Sequence, residues 1–215
     1  MSPPRGDAES RRAAILDAAL RTFGQYGYRR TSMDDIAREA GIGKGTIYLS
    51  FASKDEVFQA LSQRLSERML AEAAAAREQP GTTADRLAAM SAAWYGTYVD
   101  TVWNSPHAAE LMDAKHRLSA DLVAQALSQF KRLVSDVIAE AAATGELDLE
   151  PAGLTPEAAA ELLIACCRGL QSSAASPAAY RAYLETLVRV VIAGLRSPAA
   201  RGPGTAVSSR SVRSW

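Results

Sequence analysis

The stretch TSMDDIAREAGIGKGTIYLSFASKD, residues 31–55, decides the fold. Thr31 and Ser32 can each accept a backbone hydrogen bond as an N-cap. Asp34 and Asp35, three residues on, complete a capping box for a helix predicted over residues 33–40. Gly41 suits the left-handed position after a helix C-terminus. Ile42 can plug the angle between two helices, and a second helix is predicted over residues 44–50. Ala37 lets the two cross closely. Ile36, Ile42 and Ile47 would share one small core, which leaves Lys44, Gly45, Thr46, Tyr48 and Leu49 on or beside the outer face of the second helix. Ser53, with Glu56 three residues later, caps a further helix whose first turn carries Lys54.

Two helices joined by a tight glycine turn form a helix-turn-helix, and the outer face of the second one has chemistry suited to a DNA duplex. A major groove about 12 Å wide admits one helix, and side chains near its N-terminus meet base edges. Gly45 permits close approach to a phosphate. Thr46 offers a hydroxyl to phosphate or a methyl to thymine, and Tyr48 can direct its phenol to a phosphate oxygen. Lys44 can reach guanine O6/N7 or a phosphate, while Lys54 sits where a helix N-terminus favours an anion. Thr31 and Ser32, at the start of the first helix, complete the candidate DNA contacts. The run GIGKG is not a phosphate-binding P-loop, because the GxxxxGK[ST] spacing is absent. No acid/base pair, and no nucleophile with its base, suggests an enzyme. The other reading of the motif is a helical ligand-binding or adaptor protein without sequence-specific DNA binding.

The run GIGKGTIYLSFASKDEVF, preceded by FGQYGYRRTSMDDIAREA, resembles the N-terminal domain of the TetR/AcrR family of bacterial transcriptional regulators. The shared pattern is a Thr or Ser opening the second helix, then Gly-hydrophobe-Ser-Lys-Gly-Thr-hydrophobe-Tyr, a Phe, and Ser-Lys-Asp or Ser-Lys-Glu. Gly43 stands where serine is commoner, and Ser50 where histidine or tyrosine often precedes the Phe. The resemblance implies an all-α protein, with a three-helix DNA-binding domain followed by a helical bundle that binds a small effector and forms a homodimer. It also implies that the last two helices pair with their counterparts in a four-helix interface. The function so implied is a ligand-responsive repressor, released from a palindromic operator by a small molecule.

The 215 residues provide enough core to fold without metals or disulfides. With 24 basic and 24 acidic residues the chain has no net charge, which is unusual for a nucleic-acid binder. The balance is slightly uneven, with nine basic against seven acidic residues in 1–55 and fifteen against seventeen beyond. Cys166 and Cys167, adjacent in a predicted helix, point about 100° apart and cannot easily bond to each other. They read as small apolar residues of a helix interface, with a redox role as the alternative. No apolar run nears the roughly 20 residues of a membrane span, and no signal-peptide core is present, so a soluble cytoplasmic protein is expected.

The chain in order is expected to comprise a flexible arm over residues 1–7, a DNA-binding domain over 8–53, an effector-binding and dimerisation domain over 54–196, and a disordered tail over 197–215. The first helix, predicted over 8–26, buries Ile15, Leu16, Ala19, Leu20 and Phe23 at spacings of three and four. A long helix over 54–78 would span roughly 35 Å and connect the two domains. Pro80 and Gly81 end it, and the next helix, predicted to run to 104, concentrates Trp94, Tyr95, Tyr98 and Trp103. Ser105 and Pro106 open a short helix, and a longer one is predicted over 119–144. The resemblance places a pocket among these helices for an effector that is at least partly hydrophobic. Its candidate lining is Trp94, Tyr98, His107, Met112, His116 and Phe130. The two histidines, nine residues apart, lack the spacing of a metal pair, so no metal or cofactor is expected. The last two helices, opened by Thr155-Pro156 and Ser176-Pro177, are apolar around much of their circumference. Leu162, Cys166, Gly169, Leu170, Tyr183, Leu187 and Val191 are the candidate dimer interface.

Overall fold

The computed structural model describes residues 5–98 and 105–197, with the side chains at 5–6, 97–98 and 171–173 excluded. They form α1 Arg5–Tyr26, α2 Met33–Glu39, α3 Lys44–Ser50, α4 Lys54–Arg77, α5 Thr83–Tyr98, α6 Ala108–Ala143, α7 Pro156–Ser173 and α8 Pro177–Leu195. A 3-10 turn, Glu150–Ala152, precedes α7. No strand is assigned among the described residues, where an isolated bridge between Leu147 and Arg196 ties the end of α8 to the loop after α6. No described helix is long and apolar enough to cross a membrane.

Two apolar cores organise the helices. The smaller joins Ile15, Leu16, Ala19 and Phe23 of α1 to Ile36 and Ala37 of α2, Ile47 of α3, and Val57, Phe58 and Leu61 of α4. Leu111 and Ala114 of α6 close it from outside the N-terminal helices. The larger core lies among the second half of α4, α5, most of α6, α7 and α8. Helix α4 thus contributes its first half to one core and its second half to the other, the division expected of a connecting helix.

Helix ends follow the local sequence closely. Ser32 caps α2 and Asp35 completes the capping box, so of the two acids it is Asp35 that serves the cap. At the other end Gly41 N–H donates to Arg38 O (3.1 Å) and Ile42 N–H to Ala37 O (3.0 Å), with Gly41 at φ 68°. This double closure is a Schellman motif, and it sets the direction of α3. Ser53, Thr155 and Ser176 each accept from the amide three residues on, and so fix the starts of α4, α7 and α8.

The boundaries differ from the sequence reading at three places. Helix α1 begins at Arg5, so residues 5–7 of the expected arm are helical, arginine and aspartate being compatible with a first turn; residues 1–4 lie outside the described residues. Helix α6 begins at Ala108 with His107 as its N-cap; the Ser105 hydroxyl accepts from His107 N–H (3.1 Å) and donates to Gly24 O (2.7 Å). The two helices expected to meet near residue 119 form one run with a kink at Ser119 (φ −136°, ψ 20°). The residues at 99–104, Trp103 among them, and the tail from 198 lie outside the described residues.

Gly27 and Gly41 both hold positive φ but differ in surroundings. A Cβ on Gly27 would lie 2.5 Å from Glu110 Oε2 and 3.1 Å from the His107 ring, whereas one on Gly41 would meet nothing within 4 Å. Gly41→Ala should therefore cost only the left-handed backbone penalty of about 1–2 kcal/mol. Gly27→Ala should cost more, because the Glu110 carboxylate must also swing away from its bond to Arg29 N–H and the His107 ring must give way. Chemical denaturation of both variants checks the order. Phe130→Ala should cost about 3–5 kcal/mol, since its ring is fully buried and stacks on Trp94 with centroids 4.5 Å apart; the same denaturation measurement reads it.

Candidate DNA-binding surface

Helix α3 buries one side chain fully, Ile47, and turns the rest of its surface outward. Leu49 is 83% exposed and Tyr48 48% exposed. Lys44 and Gly45 are exposed and Thr46 half-buried. The contiguous face of Lys44, Gly45, Thr46, Tyr48 and Leu49 is open, small at its N-terminal end and free of a Cβ clash at Gly45. Ser32 lies beside it at the start of α2, with its hydroxyl bonded to Asp35. Lys44 Nζ bonds Asp34 at 2.8 Å, and that carboxylate holds its ammonium pKa above the ordinary lysine value.

Two residues assigned to this face from the sequence are not on it. Thr31 is 2% exposed, and its hydroxyl donates to Gly27 O at 2.7 Å. It acts as an internal tie across the α1–α2 turn, because the neighbouring Ser32 takes the capping role. Lys54 points inward as well. Its ammonium donates to Tyr28 O (2.7 Å) and Thr31 O (2.8 Å) and lies 4.5 Å from the Tyr28 ring centre. Burial holds its pKa below the ordinary value, with Asp55 and Glu110 opposing that shift. A cation already bonded to two carbonyls and covered by a ring is not placed to meet a phosphate.

Sequence reasoning missed the side chains that brace this surface. Arg12 donates to Ser50 O (3.0 Å) at the C-terminal end of α3 and lies 4.1 Å from the Phe51 ring centre, a cation where the helix dipole is negative. Glu110, on α6, accepts from Arg29 N–H at 2.5 Å, so the second domain holds the turn before α2 by its backbone. The Tyr28 phenol donates to Asp55, and its pKa is pushed up to about 12, first by burial and then by that carboxylate. Their partners stand 38, 81 and 27 residues away, so no local pattern announces them.

The candidate effector-pocket residues do not line one chamber. Trp94 and Phe130 fill the larger core by stacking on each other. His107 instead faces the N-terminal helices, beside Gly27 and 3.9 Å from Glu110, and lines a cleft of about 590 Å³ with Thr22, Gln25, Tyr26, Arg30 and the polar side of α2. Met112 is half-buried and His116 exposed. The Tyr98 side chain lies outside the described residues. The physical reason for the separation is the docking of the start of α6 on α1, which a helical wheel of α6 alone does not reveal. Among the described residues no group of three His, Cys, Asp or Glu side chains could hold a metal ion.

Helices α7 and α8 divide into an inner and an outer face. Leu163, Ile164, Cys167, Tyr180, Leu184, Val188 and Ile192 are buried in the chain's own core. Leu162 (52%), Tyr183 (49%) and Val190 (64%) are large apolar groups left exposed. Gly169 is exposed beside them and Cys166 is half-buried. Leu170, Leu187 and Val191 pack at the margin of the core. Burial pushes the Cys167 thiol up to about 12, which suits a packing residue better than a redox centre.

Residues 15–61 match the family model for bacterial regulatory proteins of the TetR family. The uncharacterized HTH-type transcriptional regulator YhgD of Bacillus subtilis is 43% identical over 68 residues, covering 32% of this chain and 36% of that protein. The HTH-type transcriptional regulator BetI of Agrobacterium fabrum is 29% identical over 136 residues, covering 57% of this chain and 66% of that protein. The chain thus matches from 36% to 66% of these two relatives' length. In fold it is similar to SmeT, the repressor of a Stenotrophomonas maltophilia multidrug efflux pump, with a TM-score of 0.64 at 22% identity over 90% of this chain and 94% of that one. The N-terminal helices thus carry the motif of the TetR family of bacterial regulatory proteins, and the helical remainder has a fold similar to that of SmeT.

Proposed function

We propose that this protein is a ligand-responsive, DNA-binding transcriptional regulator, acting in the cytoplasm as a homodimeric repressor that a small molecule releases from a palindromic operator. The observation that carries the reading is the outward face of α3, where Lys44, Gly45, Thr46, Tyr48 and Leu49 are presented on a helix held by Ile47 beneath it and Arg12 behind it. Ser32 adds a contact to the DNA backbone at the start of α2. Exposed Leu162, Tyr183 and Val190 support pairing of α7 and α8 with a second copy, with Cys166, Gly169, Leu170, Leu187 and Val191 around them. Two such heads, about 34–36 Å apart, would read successive major grooves. The names of YhgD and BetI, both regulators, and of SmeT, a repressor, agree with this reading.

Release by an effector follows from how the head is held. Arg77, at the far end of α4, pairs with Asp136 and Glu140 of α6, so this end of the connecting helix is anchored in the second domain. The near end is fixed to the head through Lys54, and Glu110 grips the same turn from α6. A ligand that shifts the first segment of α6 about the Ser119 kink would turn the head through both attachments. Its effect is limited by differential affinity: each tenfold loss of operator binding at saturation needs about 1.4 kcal/mol of preference for the released conformer. The candidates at the start of α6 are His107, Met112 and His116, while Trp94 and Tyr98 lie on α5 and Phe130 farther along α6. The effector is a small, partly hydrophobic molecule.

Selection of purified protein against a pool of random duplexes at two salt concentrations tests the function. A palindrome should be enriched, with retention falling steeply as salt rises; well-folded protein that enriches nothing at low salt defeats the proposal. Lys44 and Lys54 should then separate. Lys44→Met should relax the preference at the base it faces, with the melting temperature unchanged. Lys54→Met should leave that preference alone and cost about 1–3 kcal/mol of stability, by stranding the carbonyls of Tyr28 and Thr31.

A further inference from the structure

The two acids in the first turn of α2 do different work. Asp35 is consumed by the helix start: its carboxylate accepts from Ser32 N–H (3.0 Å) and Ser32 Oγ (2.6 Å), and Arg38 donates to it as well. Asp34 has no such duty. Among the described residues its carboxylate bonds one group, Lys44 Nζ at 2.8 Å, across the turn between α2 and α3. The pair stands in solvent, with side chains 49% and 69% exposed, and Lys44 is the first residue of the helix whose outer face the DNA reading uses. An exposed pair of this kind adds little to stability. Its placement on a surface meant for a polyanion therefore calls for another explanation, since an uncompensated aspartate there would repel phosphates.

Resting on the DNA-binding reading above, we propose that Asp34 is a positioning residue for recognition: it holds the Lys44 ammonium at one point over the groove-facing surface and cancels its charge toward the backbone, so that Lys44 discriminates among bases instead of adhering to any phosphate. A lysine ammonium has three donors on a flexible four-carbon stem. Asp34 takes one donor and fixes the stem in the free protein, which leaves two donors, as many as the O6 and N7 acceptors of a guanine edge. Released from Asp34, the same side chain would sweep over several phosphates and release counterions on any sequence. The neutral pair thus suppresses general binding and keeps the base contact. This agrees with the neighbouring Arg38, which is likewise paired, with Asp35.

The test uses the full-length protein, the operator obtained by selection, and a non-operator duplex of equal length. Asp34→Asn should raise affinity for the non-operator duplex about three- to tenfold and steepen its log–log salt slope by about one unit per head. The operator-to-non-operator ratio should fall, and preference at the base facing Lys44 should relax. Asp34→Glu, which keeps the charge, should keep non-operator binding weak. In a Lys44→Met background Asp34→Asn should change neither the ratio nor the base preference, because there is no ammonium to position. The proposal is overturned if Asp34→Asn leaves the ratio intact, or alters it equally with Lys44 absent. Thermal unfolding of each variant verifies that a changed ratio comes from folded protein. Wild-type protein that retains no duplex at low salt would overturn the DNA-binding reading itself, and this inference with it.

Discussion

The ammonium of Lys54, seated in the turn between α1 and α2, is the contact on which the arrangement of this molecule depends. The turn leaves carbonyls at Tyr28 and Thr31 without helical partners, and buried carbonyls must be satisfied. Lys54 supplies both bonds from the first residue of α4, and the Tyr28 ring covers its charge. The Tyr28 phenol returns a bond to Asp55, the next residue of the same helix. Helix α4 therefore cannot change its angle at this end without carrying the α1–α2 turn, and α2 with it. The desolvation that lowers the Lys54 pKa is the cost of that joint; the carbonyls and the nearby carboxylates offset it.

The second domain reaches the same turn by another route. Glu110 accepts from Arg29 N–H, Ser105 donates to Gly24 O, and Gln59 on α4 donates to Leu118 O, a carbonyl beside the kink at Ser119. The glycine at 27 is what lets α6 come so near. Ser119 is itself 4% exposed, and its hydroxyl has no partner among the described residues. In a straight helix a serine hydroxyl commonly bonds the carbonyl four residues back. The kink forgoes that bond and lies where α6 passes from the smaller core, with Leu111 and Ala114, to the larger one, with Ala126 and Phe130.

Most of the fold was legible because its signals are local. Capping residues at Ser32, Ser53, Thr155 and Ser176, the glycines at 27, 41 and 145, and the apolar spacing of each helix act within a few residues, and the elements began and ended close to where these place them. The outward face of α3 was legible for the same reason, since burying Ile47 dictates what faces away. Thr31 and Lys54 were misread because their environment is made by distant residues. From sequence each is a polar side chain at a helix start, and only the packing of α1 against α4 turns them inward. The pocket candidates are subject to the same limit. Aromatic spacing on α5 cannot distinguish a ring that lines a cavity from one that stacks on Phe130 and fills it.

A chain without net charge is an unexpected vehicle for DNA recognition, and the pairing pattern explains how it can serve. Arg21 is paired with Glu39, Arg38 with Asp35, Arg64 with Asp17 and Lys44 with Asp34, while Arg12 and Lys54 are spent on backbone carbonyls and aromatic rings. Much of the positive charge of the head is thus committed to internal geometry, while Arg29 and Arg30 stay exposed before α2. Counterion release at such residues would share the work of binding with the fit of a rigid α3 into the groove. Rigidity is what these bonds provide: Arg12 clamps the end of α3, Asp34 its beginning, and the Schellman turn at Gly41 its direction. In this head charge serves to fix shape, and DNA recognition of the kind proposed would depend on the shape so fixed.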